Sequence, residues 1–158
     1  MIIRGKFMTA KEKAMKNFRD GYNCSQSVVL AFSDKLGIDD KTLLKLSSSF
    51  GGGMGRLREV CGAVTGMFIV VGFLYGYNDP NDKQAKANHY ELIQQLAKEF
   101  KDANHSIICR DLLGLGEGPD NPIPSERTKQ YYAERPCEEL VGHAAEIVEK
   151  YIANKNKN

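Results

Sequence analysis

VCGAVTGMFIVVGFLYGYN, from Val60 to Asn78, carries no charged side chain and decides the fold. Its length would suffice to cross a bilayer, but Cys61, Thr65 and the glycines at 62, 66, 72 and 76 dilute its hydrophobicity, and the rest of the chain is strongly polar. The reading that fits is a helix buried on all sides, the glycine-rich centre of an all-α, compact multi-helix bundle. Glycines at i, i+4 spacing let a neighbouring backbone approach closely, or let two copies of the helix meet, so a homodimer through this helix is one expectation.

Outward from this segment, strand signals are nearly absent and periods near 3.6 recur. Thr9 and Glu12 have capping-box spacing before a helix to Arg19 that stops at Gly21. Asn23 can cap a second helix bearing Cys24, Val28, Phe32 and Leu36 on one face, ended by Gly37. Asp39 and Asp40 open a third through Leu43, Leu44 and Leu46. Phe50-Gly51-Gly52-Gly53-Met54-Gly55 breaks it and leads through Arg56 and Arg58 into the apolar segment. With Asp79 as cap and Pro80 as first residue, the longest helix runs to about Asn104, its stripe Tyr90, Ile93, Leu96, Ala97 and Phe100. A short piece from Cys109 to Gly114 follows, then a stretch over 114–136 holding four of the five prolines, read as a variable loop or lid. The last helix opens at Pro136-Cys137-Glu138-Glu139 and turns Leu140, Ala144, Ile147, Val148 and Tyr151 inward.

At 158 residues the chain fits one helical domain, with its core at about 9–152 and a frayed Lys/Asn tail at 154–158. A formal charge of +2, from 22 basic and 20 acidic residues, gives no argument for nucleic acid or an anionic membrane. The stretch MIIRGKFMTAKEKAMK holds no apolar run of signal-peptide length, so the expectation is a cytoplasmic, thiol-reducing setting.

In that setting the four cysteines, Cys24, Cys61, Cys109 and Cys137, are core fillers, metal ligands or reactive thiols rather than structural disulfides. No two of them form a Cys-x-x-Cys pair, so the local signal of a zinc knuckle or a thioredoxin-type motif is missing. Each nevertheless falls in about the first turn of a predicted helix and heads its apolar stripe. The partial positive charge of a helix N-terminus favours thiolate, the form that binds metal or attacks a disulfide. Arg56, Arg58 and Arg110 strengthen that field. If the cysteine-bearing helices start at one end of the bundle, the sulfurs converge.

Other candidates are weaker. His89, His105 and His143 have no metal-ligand spacing. The glycine loop is neither a Walker motif nor a dinucleotide fingerprint; Gly52, Gly53 and Arg56 are candidate cofactor-binding residues, through backbone N–H groups that hold an anion or donate to cluster sulfurs, with a plain tight turn as the alternative. No paired acid/base constellation stands out.

Phe50-Gly-Gly-Gly-Met-Gly-Arg56, followed by Glu59-Val-Cys61-Gly-Ala-Val-Thr-Gly66, with Cys24 upstream in Tyr-Asn-Cys-Ser-Gln and Cys109 and Cys137 downstream, resembles the redox-active proteins labelled by the C_GCAxxG_C_C signature. The resemblance covers roughly residues 10–152. It implies a small helical protein with a redox role. The chain also looks similar to the cysteine-bearing part of split-Soret cytochromes, which implies an iron–sulfur centre; Cys-x-x-Cys-His, the mark of covalent haem, is absent.

Three functions compete on these residues. All four cysteines bind an iron–sulfur cluster or another metal for electron transfer to an unidentified redox partner; Cys24 and Cys61, the first catalytic pair to suspect, carry thiol–disulfide chemistry; or the chain is a non-catalytic helical interaction module with buried cysteines. No residue pattern names a substrate.

Overall fold

The computed structural model describes residues 7–158 and is all-α, with no strand among the described residues beyond one isolated antiparallel bridge between Val60 and Ile108. Helix α1, Ala10–Arg19, begins with the capping box: Glu12 N–H donates to Thr9 Oγ1 at 3.1 Å and Thr9 N–H to Glu12 Oε2 at 3.0 Å. Asn23 and Gln26 repeat the device at α2, Cys24–Leu30. Here the expected single helix to Leu36 divides. Phe32 N–H bonds back to Val29 at 3.1 Å, a three-residue step that tightens the turn, before α3, Ser33–Leu36, ends at Gly37 with φ +62°.

Asp39 caps α4, Asp40–Ser47, through Thr42 N–H at 2.9 Å. After a 3-10 turn at Ser48–Phe50 comes α5, Gly51–Met54, a turn rather than a true helix, because Gly52 and Gly53 sit at φ +68° and +67°. The apolar segment forms α6, Gly62–Tyr75. Its first half, through Met67, is buried, but the helix is not enclosed on all sides: Phe68, Ile69, Leu74 and Tyr75 are half-buried and Phe73 is 57 % exposed. No described helix is long and apolar enough to cross a membrane.

Helix α7, Lys83–Asn104, starts later than Pro80 because Asp79 spends its carboxylate on an Asx turn with Asn81 N–H, leaving Asp82 to cap Ala85 N–H at 2.9 Å. Of its stripe only Leu96 and Phe100 are fully buried, and Tyr90 faces solvent. Helix α8 is Cys109–Leu113. The 114–136 stretch contains an element the periodicity did not reveal, α9, Lys129–Glu134, capped by Thr128. Helix α10, Cys137–Asn156, runs through most of the tail expected to fray.

Helices α1 and α10 pack antiparallel: Ala10 N–H donates to Glu149 at one end and Arg19 pairs with Glu138 at the other. Helices α2 and α6 run side by side in the same direction. A Cβ at Gly62 would lie 3.0 Å from Cys24 Cβ, and one at Gly66 would lie 2.9 Å from the Ser25 carbonyl and 3.0 Å from Val28 Cβ. The close approach that these glycines permit is therefore used within the chain, and it sets the starts of α2 and α6 at one end.

This packing predicts opposite effects for two similar changes. Gly66→Ala forces α2 and α6 apart and should destabilise by about 1–3 kcal/mol, whereas Gly72→Ala, with nothing within 4 Å of the added methyl, should stabilise by about 0.5–1 kcal/mol through helix propensity. Urea unfolding followed by circular dichroism reads both, and equal shifts would contradict the packed face assigned here.

Candidate functional site

Each cysteine stands at a helix start: Cys24, Cys109 and Cys137 are the first residues of α2, α8 and α10, and Cys61 is the cap of α6. All four line a single cavity of about 270 Å³, partly open to solvent. Gly52, Gly53 and Arg56 share its wall, while His89, His105 and His143 do not.

A short backbone pairing brings two of the thiols together. Cys61 N–H donates to Ile107 O at 2.8 Å and Cys109 N–H to Glu59 O at 2.6 Å, flanking the Val60–Ile108 bridge. The preceding turn is unusual for its density of left-handed residues. Met54, Arg56 and Arg58 join Gly52, Gly53 and Gly55 at positive φ, and each non-glycine case costs on the order of 1–3 kcal/mol. Packing fixes this path: a Cβ on Gly53 would lie 2.5 Å from Cys109 Cβ and 2.9 Å from Arg58 Cα.

The product of the turn is a buried guanidinium. Arg58, 4 % exposed, donates from one terminal nitrogen to Cys109 Sγ at 3.5 Å and from the other to Asp120 Oδ2 at 2.9 Å. Burial works against its charge, but the bonds to Cys109 and Asp120 outweigh that and hold its pKa above the ordinary value. Asp120 also pairs with Arg56 at 3.2 Å, Arg56 Nε donates to Asn121 O at 2.6 Å, and Asp120 N–H donates to Arg56 O at 2.9 Å. These contacts fasten the proline-rich stretch over the cavity as a lid. The bond from Arg58 holds the Asp120 carboxyl below the usual range, so the latch keeps its charge at pH values where an unpaired aspartate takes up a proton.

Two further arginines come from the lid. Arg127 donates to the carbonyls of Phe18 at 2.7 Å and Tyr22 at 2.9 Å and lies 4.2 Å over the Phe18 ring; Arg135 lies over Tyr131. With Arg56 and Arg58 they make four guanidiniums on the cavity wall, and no acidic side chain is among the described residues lining it. Arg56 and Arg58 share the cavity wall with the cysteines as their positions in the sequence imply, whereas Arg127, Arg135 and Asp120 reach the site only through the fold of the 114–136 stretch. Arg135, two residues before Cys137, was the one with a local signal. Arg110 instead binds outward, to Leu57 O, Arg58 O and Glu59.

The thiols are not equivalent. The thiol that acts most strongly on Cys24 is Cys137, with Cys61 and Cys109 acting on it through charge. The two shifts are opposite. Interaction with Cys24 lowers the Cys137 pKa, with Arg135, Arg127 and Arg58 helping against burial; interaction with Cys137, then burial, pushes Cys24 well up. Of the two, Cys137 is thus the more acidic thiol. Burial pushes Cys61 up to about 12 and raises Cys109 despite Arg58.

Among the described residues no three His, Cys, Asp or Glu side chains gather closely enough for one metal ion, so the donor set does not fit a mononuclear centre. A cluster asks for something different, because its cysteines are distributed over two or four irons and must surround a volume rather than a point. Four thiols around one cavity meet that requirement.

The sequence profile of the family described as "Putative redox-active protein (C_GCAxxG_C_C)" matches residues 22–151. No curated protein and no solved structure matches the chain.

Thiol reactivity should follow the burial and charge pattern. In the reduced, metal-free protein, iodoacetamide is expected to modify Cys137 first, with the midpoint of its rate against pH below that of an ordinary thiol, since a lowered pKa populates the thiolate earlier as pH rises. Cys61 should resist throughout, and Arg135→Gln should move the Cys137 midpoint upward. Peptide mass spectrometry of timed samples checks the order; Cys61 reacting first would contradict it.

Proposed function

This chain belongs to the family described as "Putative redox-active protein (C_GCAxxG_C_C)", and we propose that its chemistry is thiol–disulfide exchange at Cys24 and Cys137. The observation that carries the reading is that both cysteines, each the first residue of its helix, line one cavity partly open to solvent and shift each other's pKa in opposite directions. Cys137 is the nucleophile. It opens the 20-residue α10, whose N-terminal partial charge adds to Arg127 and Arg135. Cys24 is the resolving thiol, beside Cys137 and protonated until needed. Oxidation joins the two sulfurs, removing two electrons and the Cys24 proton; an external dithiol returns them. Buried Cys61 and Cys109 line the cavity as spectators in this reading.

Mild oxidation of the reduced protein should remove two of the four titratable thiols, and non-reducing peptide mapping should recover Cys24 linked to Cys137. Cys24→Ser should stop at a mixed disulfide on Cys137, and Cys61→Ser should leave the outcome unchanged. Four persistent thiols, or a pairing that excludes Cys137, would overturn the assignment.

A second reading is favoured by the convergence of all four thiols on one cavity: an iron–sulfur cluster held by Cys24, Cys61, Cys109 and Cys137, which when bound supplies one-electron transfer. The guanidiniums on the wall would offset the negative charge of four thiolates, and Arg58 would keep its bond to the Cys109 sulfur. The two readings separate at Cys61, needed only for the second. Anaerobic reconstitution with iron and sulfide should give visible absorption with stoichiometric iron and sulfide, lost in Cys61→Ser; a colourless, iron-free product would exclude it.

A further inference from the structure

We infer that the cavity is a substrate site for small anionic disulfides, molecules whose S–S bond is flanked by carboxylates, with Arg127 and Arg135 receiving the negative groups while Cys137 attacks a sulfur. The inference rests on the dithiol reading above and adds to it the chemistry of the substrate.

Charge is the first argument. Four guanidiniums line the cavity without an acidic side chain among them, and the carboxylate that pairs with Arg56 and Arg58 is Asp120, on the far side of those two arginines. Arg127 and Arg135 form no ion pair among the described residues; Arg127 is held by two carbonyls and an aromatic ring, and Arg135 rests on Tyr131. Rigidly held guanidiniums without a carboxylate partner are suited to bind one. A low-dielectric recess lined by a single sign of charge also concentrates ions of the opposite sign.

Size and chemistry supply the rest. A volume of about 270 Å³ lies just below the roughly 300–1,000 Å³ of pockets that take drug-sized ligands, so the substrate is small. The apolar part of the wall, from Phe18, Leu112, Leu113 and Leu140, suits the alkyl and sulfur portion of a disulfide. The reaction balances with the protein's own electrons. The Cys137 thiolate attacks RS–SR, the S–S bond breaks, and RS⁻ leaves with the electron pair. That RS⁻ takes the Cys24 proton; the Cys24 thiolate then attacks Cys137 Sγ and expels the second RS⁻. One disulfide is reduced to RSH and RS⁻, and the Cys24–Cys137 disulfide remains.

The test is a single turnover of the reduced, full-length, metal-free protein with three disulfides of similar size: dithiodiglycolate, a dianion; bis(2-hydroxyethyl) disulfide, neutral; and cystamine, a dication. Each rate is divided by that of the same disulfide with free 2-mercaptoethanol, which removes intrinsic reactivity. The dianion should then exceed the neutral compound by about tenfold, the dication should be slowest, and raising the salt concentration should compress the order. In Arg135→Gln the dianion-to-neutral ratio should fall towards one, a quotient in which any common change in Cys137 nucleophilicity cancels. A normalised preference for the dianion below fivefold overturns the inference while the dithiol reading stands; oxidation by none of the three overturns the dithiol reading itself. The wild-type arms decide the matter even if the variant fails to fold.

Discussion

Two backbone hydrogen bonds, Cys61 N–H to Ile107 O and Cys109 N–H to Glu59 O, hold together parts of the chain that the helices alone would leave apart. They make residues 58–61 and 107–110 into a minimal antiparallel pair, and everything at the thiol end hangs from it. On one side the pair delivers Cys61 to the start of α6. On the other it delivers Cys109 and fixes the Arg58 backbone so that the guanidinium reaches both a sulfur and the lid. Removing either bond would strand a backbone donor in a region where water is scarce, at a cost of about 1–3 kcal/mol, and would release the two elements that close the cavity from below.

The approach to this pair is strained, and the strain has a location and a counterweight. Three non-glycine residues at positive φ within five positions, Met54, Arg56 and Arg58, together cost several kcal/mol on the order given by sparsely populated backbone regions. Burial elsewhere offsets it: Phe18, Phe32, Leu43, Met67, Leu96 and Phe100 are almost wholly enclosed, each contributing about 1.5–3 kcal/mol relative to exposure. The core therefore stabilises a turn that local preference would reject, and the turn in turn aims Arg56 and Arg58 into the cavity.

Much of this was legible in the residues. Thr9, Asn23 and Asp39 announce their helices because a short polar side chain before an apolar stripe has one good use there; Asn23 places Cys24 at a helix start for that reason, and Pro136 with Glu138 and Glu139 places Cys137. The glycines at 62 and 66 signalled close packing but not its partner, since a bare i, i+4 pattern fits a neighbour in the same chain as well as a second copy. Asp79 reads as the cap of α7, and the Asx turn at Asn81 that takes its carboxylate and leaves Asp82 to cap has no mark in the periodicity. Helix α9 is too short to build a periodic stripe, and the Val60–Ile108 bridge too short to show alternation. That Cys137 acts on Cys24 more strongly than Cys61 does was beyond reach, because it depends on α1 and α10 running antiparallel and so bringing the start of the last helix back to the second.

Arg127 links these levels mechanically. It belongs to the lid, yet its two hydrogen bonds end on the last turn of α1 and the residue after Gly21, and its plane lies on Phe18. Lifting the lid thus withdraws a donor and a stacking partner from the C-terminal end of α1. That helix lies along α10, whose first residue is Cys137. A displacement of the lid would for this reason reach the start of α10 by way of α1, without any direct contact between the lid arginine and the sulfur.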